Sequence, residues 1–396
     1  MTNLSSQPLS GIRVIDLTSV MFGPYATQYL GDFGAEVIKV ESPDGDVVRK
    51  VGPSSHSGMG AAFLGCNRNK KSIVIDLKCE AGIEALWKLI ESADLFLHNI
   101  RPQKIEKLGL SSREVMKRKP DIVYAALHGY LEEGPYSGRP AYDDVIQGEC
   151  GLASAFTLRD GIPSLVPSII ADKSAGLVAL SGILAALFQR FRHGEGVYME
   201  VGMFESMSAY TLLEHQYGSI FSPPKGSAGY DRVISSQRKP FQTKDGYICM
   251  LAYTDKQWHA FWELSGDSSM RSNPNYHSMA ERLKNIDKLY ANVANKLVEK
   301  TSDEWLQILK SAEIPCGSVN TFDDLRKDPH MGEIGFFRHY KHPTEGDIEL
   351  VDPGLRFNGE SLPVRHYPPK LGEQSYEILS ALGVSDEKIK AATGQS

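Results

Sequence analysis

One carboxylate in the chain stands where it could act as a nucleophile. Asp172 interrupts an apolar segment that continues as a small-residue helix to Arg192. The free N–H groups at the start of a helix carry partial positive charge and favour an ionised carboxylate, and an ionised aspartate can form a covalent acyl intermediate. Aspartate is also a preferred N-terminal helix cap, so the pattern alone leaves both roles open.

The residues after Asp172 predict a helix with an apolar face and many small side chains. The large apolar residues recur at helical spacing: Leu177, Val178, Leu180, Ile183, Leu184, Leu187 and Phe188. The small residues allow other backbone or a ligand to come close: Ala175, Gly176, Ala179, Gly182, Ala185 and Ala186. The most apolar window, residues 175–188, is too short to span a bilayer, so we expect no membrane-spanning helix.

Strands and helices alternate over the first 130 residues. The predicted strands are residues 12–17, 36–40, 72–77, 94–98 and 121–127, and the predicted helices are residues 25–33, 82–92, 102–108 and 112–117. This alternation is typical of an α/β protein with a Rossmann-like, doubly wound parallel sheet. The first strand-to-helix turn lacks the GxGxxG pattern of dinucleotide binding.

Ligands bind such sheets at the carboxyl ends of the strands. We therefore expect one crevice to be lined by the residues that follow the predicted strands. These are residues 19–22, Ser42, Lys78, residues 99–101 and residues 128–130.

The later segments predict a second, smaller domain. We assign residues 1–220 to the first part of a large α/β domain, which includes a strand at 197–201 and a helix at 204–217. The Gly-, Pro- and Ser-rich stretch 221–239 is predicted to be a linker, and residues 225–320 a small α+β domain. Residues 321–396 are expected to return to the large domain.

Composition excludes several classes of protein. The chain of 396 residues is 41% hydrophobic and 23% charged, as is ordinary for a globular protein. A net charge of −6 without a basic tract argues against nucleic-acid binding. The five cysteines form no CxxC and the histidines no HxH or HxxxH pair, so no metal site is expected. Without a visible secretory signal, we expect a cytoplasmic protein with reduced thiols.

Six segments, in their order and spacing, resemble the class III CoA transferases of the CaiB/BaiF or formyl-CoA transferase type. They are GIRVIDLTSVMFGPYATQYLGDFGAEVIKVE (11–41), NRNKKSIVIDLK (67–78), HNIRPQKIEKLGL (98–110), GPYSGRPAYDDVIQGECG (134–151), ADKSAG with SGILAAL (171–187) and IPCGSVNTFDDLRKDPH (314–330). The related alpha-methylacyl-CoA racemases share this fold. The resemblance implies an interlocked, intertwined homodimer in which each subunit forms an open ring.

The resemblance also implies what the site does. Asp172 matches the family's catalytic aspartate, which favours the nucleophile over the simple cap. The activity implied is transfer of CoA from an acyl-CoA donor, such as succinyl-CoA, to a small carboxylic acid. The intermediates would be a mixed anhydride and an aspartyl-CoA thioester on Asp172. CoA and acyl-CoA are then substrates, and no permanently bound cofactor is expected.

The positions that match the family's CoA contacts are spread along the large domain. They are Met21, Phe22, Ser42, Ile75, Asp76, Leu77, Lys78, Asn99, Ile100, Arg101, Lys107, Pro140, Ala141, Tyr142 and Asp143. Lys78 and Lys107 are the expected phosphate partners. Ser42 and Pro140 replace basic residues of formyl-CoA transferase, and the neighbouring Lys39 and Arg139 are expected to compensate.

Three departures from formyl-CoA transferase bear on the acceptor acid. Met21 replaces a glutamine, Val51 replaces a tryptophan, and the glycine-run loop is missing near residues 226–238. A tight polar site for oxalate is therefore not expected. A larger dicarboxylate such as succinate, mesaconate or malate fits better.

Two alternatives stay open from the sequence. An alpha-methylacyl-CoA racemase or epimerase would use Asp172 with an opposed histidine, but that position holds Tyr142, a poor base because a phenol has a pKa of about 10. His128 lies upstream as a displaced base or, more simply, a strand-end histidine bonded to backbone. A CoA-binding protein without turnover is the second alternative.

Overall fold

The computed structural model describes residues 7–394, and the chain divides into two units. The first unit contains the described parts of 1–150, 166–210 and 335–396; the second contains 151–165 and 211–334. The expected boundaries were 1–220, 225–320 and 321–396. The structure thus places 151–165, 211–220 and 321–334 in the second unit, whereas residues 335–394 belong to the first.

The first unit alternates strands and helices, and a segment of the second interrupts it. In chain order the elements are β1 (Arg13–Leu17), α1 (Phe22–Asp32), β2 (Glu36–Glu41), α2 (Ala61–Cys66), β3 (Lys70–Val74), α3 (Glu80–Glu91), β4 (Leu95–His98), α4 (Pro102–Lys107), α5 (Ser112–Arg118), β5 (Val123–His128), α6 (Asp143–Glu149), α7 (Leu152–Asp160, in the second unit), α8 (Ile170–His193), β6 (Val197–Gly202) and α9 (Met203–His215), whose end lies in the second unit.

The remaining elements complete the second unit and then the first. In the second unit they are α10 (Asp231–Ile234), β7 (Phe241–Gln242), β8 (Tyr247–Met250), α11 (Asp255–Leu264), α12 (Met279–Lys284), α13 (Ile286–Leu297), α14 (Ser302–Ser311), β9 (Cys316–Ser318), α15 (Phe322–Lys327) and α16 (Pro329–Glu333). In the first unit they are β10 (Phe337–His342), β11 (Gly346–Val351), β12 (Arg356–Phe357), β13 (Glu360–Ser361), α17 (Ser375–Ala381) and α18 (Asp386–Thr393).

Six parallel strands form the centre of the first unit. Their order is β3-β2-β1-β4-β5-β6, which is the doubly wound order of the Rossmann fold. The predicted fold class is confirmed. The order reverses between β1 and β4, and a crevice opens at such a switch point, outside the carboxyl ends of the strands.

The C-terminal segment covers the β3 side of this sheet. The Asn69 backbone N–H donates to the His366 carbonyl oxygen at 2.8 Å, and the Gln374 side chain accepts from the Ser72 N–H at 2.8 Å. Helices α17 and α18 add apolar side chains to the core that contains α3. The Pro-rich tail thus lies on the first unit, as expected, whereas α17 and α18 were not predicted.

The second unit has its own aromatic core. Trp262 and Trp305 are almost completely buried there beside Phe261. Its strands form a three-stranded antiparallel sheet in the order β7-β8-β9. The stretch 221–239, expected to be a linker, contains the short helix α10.

Helix boundaries near the switch point differ from the prediction. Helix α1 begins at Phe22 rather than at residue 25, so Pro24 lies within its first turn, where a missing N–H costs nothing. Helix α8 begins at Ile170, which places Asp172 inside the first turn. Strand β3 spans Lys70–Val74 rather than residues 72–77. Helices α6 and α7 were not predicted.

The buried face of α8 matches the predicted apolar face only in part. Its buried residues are mostly small and include Ala171, Ala175, Gly176 and Ala179, whereas Leu177, Val178 and Phe188 are exposed. The helix lies against α1, β5 and β6. Small side chains face inward where these neighbours approach closely, and Leu180, Ile183 and Leu187 are the large apolar side chains that are buried with them.

Helix α8 also corrects the expectation about membrane-spanning length. Its 24 residues, with a mean hydropathy of 1.5 in the most apolar window, are long and apolar enough to cross a bilayer. Half of that window is buried inside the protein. Length and composition are therefore weak support for a membrane span, since the core helix of a folded domain meets the same criteria.

Gly176 allows α8 to touch the start of α1. A Cβ atom at this position would lie 2.9 Å from the Phe22 carbonyl oxygen, closer than van der Waals contact permits. The neighbour is backbone and cannot rotate away. The two helix starts can approach this closely only because residue 176 has no side chain.

We predict that Gly176→Ala lowers the free energy of unfolding by about 1–3 kcal/mol, because overpacking must push α1 and α8 apart. Gly182→Ala on the same helix is the matched control. There a Cβ would meet the flexible end of Met199 at 2.7 Å, and the better helix propensity of alanine adds about 0.5–1 kcal/mol. Urea unfolding monitored by circular dichroism checks both. Equal effects at the two glycines would contradict the contact argument.

Candidate active site

Asp172 is held by the start of α8 with its carboxylate largely enclosed. The residue is 7% exposed. Asp143, at the start of α6, caps the helix instead of Asp172: its Oδ1 accepts from the backbone N–H groups of Ala171 at 2.7 Å and Asp172 at 3.3 Å. The Asp172 carboxylate is thus not used as an N-terminal cap and remains available for chemistry.

Burial and two neighbouring groups determine the pKa of the Asp172 carboxyl group. Burial is the largest cause that raises the pKa of this carboxyl group, and the nearby negative charge of Asp143 raises it further. A hydrogen bond from the Phe22 backbone N–H, at the start of α1, opposes both. The pKa is about 6. Near neutral pH the side chain is therefore mostly ionised and only weakly solvated, a state that favours nucleophilic attack.

Asp143 is fully engaged inside the protein. Its Oδ2 accepts from Gln147 Nε2 at 2.6 Å, while Oδ1 serves the two α8 amides. Gln147 Oε1 in turn accepts from the Val166 N–H at 2.9 Å. This hydrogen bond holds the segment that leads into α8. The predicted contact of Asp143 with CoA stays a prediction, and the geometry gives this residue a positioning role.

A crevice lies at the switch point of the sheet. It consists of two adjoining cavities of about 330 and 620 Å³. The residues common to both are Ser19, Asn99, Arg101, Lys104 and Tyr142. Of the predicted CoA contacts, the crevice brings together Asn99, Ile100, Arg101, Lys107, Pro140, Ala141 and Tyr142.

The crevice is electropositive. Four cationic side chains line it, namely Arg101, Lys104, Lys107 and Arg139, and no carboxylate stands among the described residues that line it. Such a surface attracts an anion such as a phosphate group. Sequence reasoning missed Lys104, although its position three residues before Lys107 places both on one side of α4.

The crevice adjoins the nucleophile through backbone. Val20 lies on its wall two residues before Phe22, whose amide bonds to Asp172. Tyr142 lies on the same wall directly before Asp143. A ligand in the crevice therefore lies beside the two segments that flank the Asp172 carboxylate.

Other predicted residues lie at the same sheet edge but not on the crevice wall. Ser42 is exposed after β2, and the segment from Ile75 to Lys78 follows β3. The Ile75 side chain is packed in the core, so only its backbone can meet a ligand. Met21 is half-buried immediately before α1.

The expectation that Lys39 compensates for Ser42 is wrong. Lys39 is completely buried and its Nζ donates to Asp46 Oδ2 at 2.8 Å. A lysine in this position cannot reach a phosphate group in solvent. Arg139, in contrast, is exposed on the crevice wall, stacked 4.4 Å from the Tyr136 ring.

His128 is held by carboxylates rather than by backbone, contrary to the simpler expectation. Its Nδ1 lies 3.2 Å from Glu200 Oε1 and 3.5 Å from Glu132 Oε1. In the described part of the chain, these residues form the one group of three or more His, Asp, Glu or Cys side chains whose ligand atoms lie within 4.8 Å of one another. Tyr142, at the racemase histidine position, is 66% exposed.

Comparisons with known proteins agree with this geometry. A family model described as CoA-transferase family III matches residues 9–375. Succinyl-CoA:glutarate CoA-transferase of Mus musculus is 32% identical over 387 residues, covering 97% of this chain and 88% of that protein.

Solved structures show the same fold. The structure of Rv3272 from M. tuberculosis superposes with a TM-score of 0.80 at 30% identity, covering 93% of this chain and 98% of that one. A CAIB/BAIF family protein from Brucella suis gives a TM-score of 0.78 at 28% identity, covering 95% and 99%.

The protein is thus an enzyme of the CoA-transferase class, with a doubly wound sheet and an electropositive crevice at its switch point. More narrowly, the chain belongs to CoA-transferase family III, as the sequence motifs implied.

We predict that Asp172→Asn stabilises the protein at pH 8 by about 3 kcal/mol, the equivalent of a pKa raised by about two units. Because the folded-state pKa is raised, wild-type Asp172 costs almost no stability below about pH 4, its cost grows between about pH 4 and pH 6, and it is constant at higher pH. The gain should therefore vanish at pH 4. Urea titrations at both pH values check this. A gain independent of pH would show that the carboxylate is not destabilised by burial.

Proposed function

We propose that the enzyme moves CoA from an acyl-CoA donor to a carboxylic acid through covalent intermediates on Asp172. The observation that carries this proposal is the Asp172 carboxylate, which is buried against the Phe22 amide and flanked by two segments that reach the wall of the electropositive crevice at Val20 and Tyr142. It is an ionisable oxygen nucleophile in a weakly hydrated site. CoA, with its phosphates, would occupy the crevice.

The first half of the reaction transfers CoA to the enzyme. An Asp172 oxygen attacks the thioester carbonyl, the C–S bond breaks, and CoA leaves as a thiolate. The thiolate then attacks the aspartyl carbonyl of the mixed anhydride. The donor acid leaves as a carboxylate and Asp172 carries CoA as a thioester.

The second half reverses these steps with the acceptor. The acceptor carboxylate attacks the aspartyl thioester, releases the thiolate and forms a second anhydride. Attack of the thiolate on the acceptor carbonyl gives the new acyl-CoA and returns Asp172 as a carboxylate. The Phe22 N–H is the group placed to stabilise negative charge that develops on the aspartyl oxygen, and the limited access of water protects both anhydrides.

The donor and acceptor are proposed from chemistry and from a relative. The mouse relative is named for succinyl-CoA and glutarate, and Met21 gives this chain an apolar side chain where formyl-CoA transferase has a polar one. We infer succinyl-CoA as donor and a dicarboxylate of similar length as acceptor. The test is a screen of carboxylic acids against succinyl-CoA, with product thioesters identified by mass.

We predict that Asp172→Ala abolishes transfer, with a loss on the order of a thousandfold or more. Affinity for CoA should change little, because the crevice side chains remain. Asp144→Ala is the matched control, since Asp144 is an exposed carboxylate on α6. Wild type and the Asp144 variant should show an acyl or CoA adduct by mass spectrometry after incubation with succinyl-CoA.

Three outcomes would reject the covalent route. The first is transfer at the wild-type rate by the Asp172 variant. The second is exchange of the substrate α-proton with solvent deuterium by wild type without any transfer, which would identify a racemase. The third is tight CoA binding with neither reaction, which would indicate a binding protein.

We further propose that the enzyme is an intertwined homodimer. The outward side of α8 exposes large apolar side chains, among them Phe188, which is 61% exposed, and Phe191, which is 86% exposed. Aromatic side chains on the next two elements along the chain, Tyr198 on β6 and Tyr210 on α9, are also exposed. An apolar surface of this kind is typical of a protein interface, and a second copy of the chain is the occupant that the family implies.

We predict that wild type sediments as a dimer at micromolar concentration, whereas a Phe188→Asp, Phe191→Asp double variant sediments as a monomer or aggregates. The physical reason is that a charge buried in an apolar interface is unpaired. Lys173→Asp is not a suitable control because its Nζ bonds to Ser168. Gln189→Asp, an exposed position on the same helix, tests charge alone. A monomeric wild type would contradict the dimer.

A further inference from the structure

The turn between β1 and α1 contains a backbone conformation that its residue type disfavours. Val20 has a φ of +69°, in the left-handed region, which β-branched residues rarely adopt because Cβ approaches backbone oxygen. Such a conformation persists only when the surrounding structure holds it in place. Val20 stands two residues before Phe22, whose amide faces Asp172.

A buried ion pair holds this turn from one side. Both Asp46 oxygens accept from the Val20 N–H at 3.2 Å. Lys39 Nζ donates to Asp46 Oδ2 at 2.8 Å and to the Thr18 carbonyl oxygen at 2.8 Å. The side chains of Lys39 and Asp46 are each 1% exposed. The pair thus holds the turn at Val20, where the strain lies, and at Thr18 before it.

Asn99 holds the same turn from the other side. Its Oδ1 accepts from the Ser19 N–H at 3.0 Å, and its Nδ2 donates to the Ser19 carbonyl oxygen at 2.8 Å. Asn99 follows β4 and lines the crevice. The turn is therefore fixed between the crevice wall and the ion pair beneath it.

We infer that the Lys39–Asp46 pair positions the catalytic group, because it holds the Val20 turn so that the Phe22 amide meets the Asp172 carboxylate. The inference rests on the proposed covalent function of Asp172. Lys39 and Asp46 touch neither Asp172 nor the crevice and act only through the turn.

The energetics favour a positioning role over a purely stabilising one. A buried ion pair gains little over a well-packed apolar pair of the same volume, so stability alone gives no reason to keep two charges here. Apolar side chains, however, could not accept the Val20 N–H or donate to the Thr18 carbonyl. The charged pair supplies the hydrogen bonds that the strained turn requires.

The ion pair also explains how the long loop after β2 contributes to the site. Asp46 belongs to this loop and caps the 3₁₀ turn Val47–Lys50 by accepting from the Val48 N–H. The Asp46 N–H donates to Glu41 Oε2 at 3.1 Å. Arg49 bonds to the same carboxylate group through two nitrogens, each at 2.7 Å. These hydrogen bonds fix the start of the loop, and with it the Asp46 carboxylate that bonds to Val20.

The test compares adduct formation from succinyl-CoA in rapid-quench mass spectrometry. In the double variant Lys39→Met, Asp46→Leu the pair is removed without leaving an unpaired charge. We expect adduct formation at saturating succinyl-CoA to slow at least about tenfold, as for loss of one hydrogen bond to a charged group. The dissociation constant for CoA should change less than about threefold, since the crevice cations are untouched.

The pH profile separates positioning from stability. When the Phe22 N–H no longer meets Asp172, the pH midpoint of adduct formation should rise above that of wild type, because that hydrogen bond favours the ionised carboxylate. The charged group that faces Asp172 from a packed element is Asp143 on α6, and it is unchanged. A loss of folded protein alone would lower the amplitude without moving this midpoint.

Two further variants keep the inference testable if the double variant folds poorly. Asp46→Asn retains an oxygen that can accept from the Val20 N–H, so its rate should exceed that of Asp46→Ala. Val20→Gly removes the strain, because glycine adopts a positive φ freely. In the Val20→Gly background, loss of the pair should slow adduct formation less than in wild type.

The outcomes distinguish the inference from the function on which it rests. If wild type forms no adduct, the proposed function fails. If wild type forms the adduct and the folded double variant matches it in rate and pH midpoint, the pair is structural only and the inference is overturned. The inference is also overturned if removal of the pair slows adduct formation equally in wild type and in the Val20→Gly background, since the pair would then act by another route.

Discussion

The close approach of α1 to α8 is the constraint on which the candidate site depends. Gly176 leaves no side chain between the helices, so the Phe22 backbone lies directly against the second turn of α8. The same approach brings the Phe22 amide to Asp172 and removes most water from its carboxylate. One packing contact thus has two opposite effects on the pKa of Asp172. The enclosure raises this pKa, and the hydrogen bond from the Phe22 N–H lowers it.

Charge is distributed differently in the two parts of the site. Around Asp172 the second charged group is another carboxylate, Asp143, and the environment is buried. In the crevice the charged groups are Arg101, Lys104 and Lys107, all exposed, together with Arg139. The buried part favours chemistry on a weakly hydrated carboxylate, whereas the exposed part attracts a phosphate-bearing molecule from solution. The switch point of the sheet is where these two environments meet.

Local patterns predicted the strands well and the helix surfaces less well. Buried parallel strands are short apolar runs, so all six were recognised, with boundary errors of up to about three residues. Helix α8 buries only part of its predicted apolar face: Leu180, Ile183 and Leu187 are buried, whereas Leu177, Val178 and Phe188 are exposed. The distance to α1 and to the sheet decides which face fits. Lys39 was assigned to phosphate by sequence proximity, whereas the loop after β2 supplies its partner Asp46.

The sequence by itself determined the alternation of strands and helices, the candidate nucleophile Asp172 and, through its motifs, the family. Only the tertiary structure decided that Asp143, 28 residues before Ala171, caps α8, and that Val20 is held in a strained turn. Periodicity reports which residues share a face of one element. It carries no information about which elements meet, because strand order and helix spacing are set by packing across the whole unit.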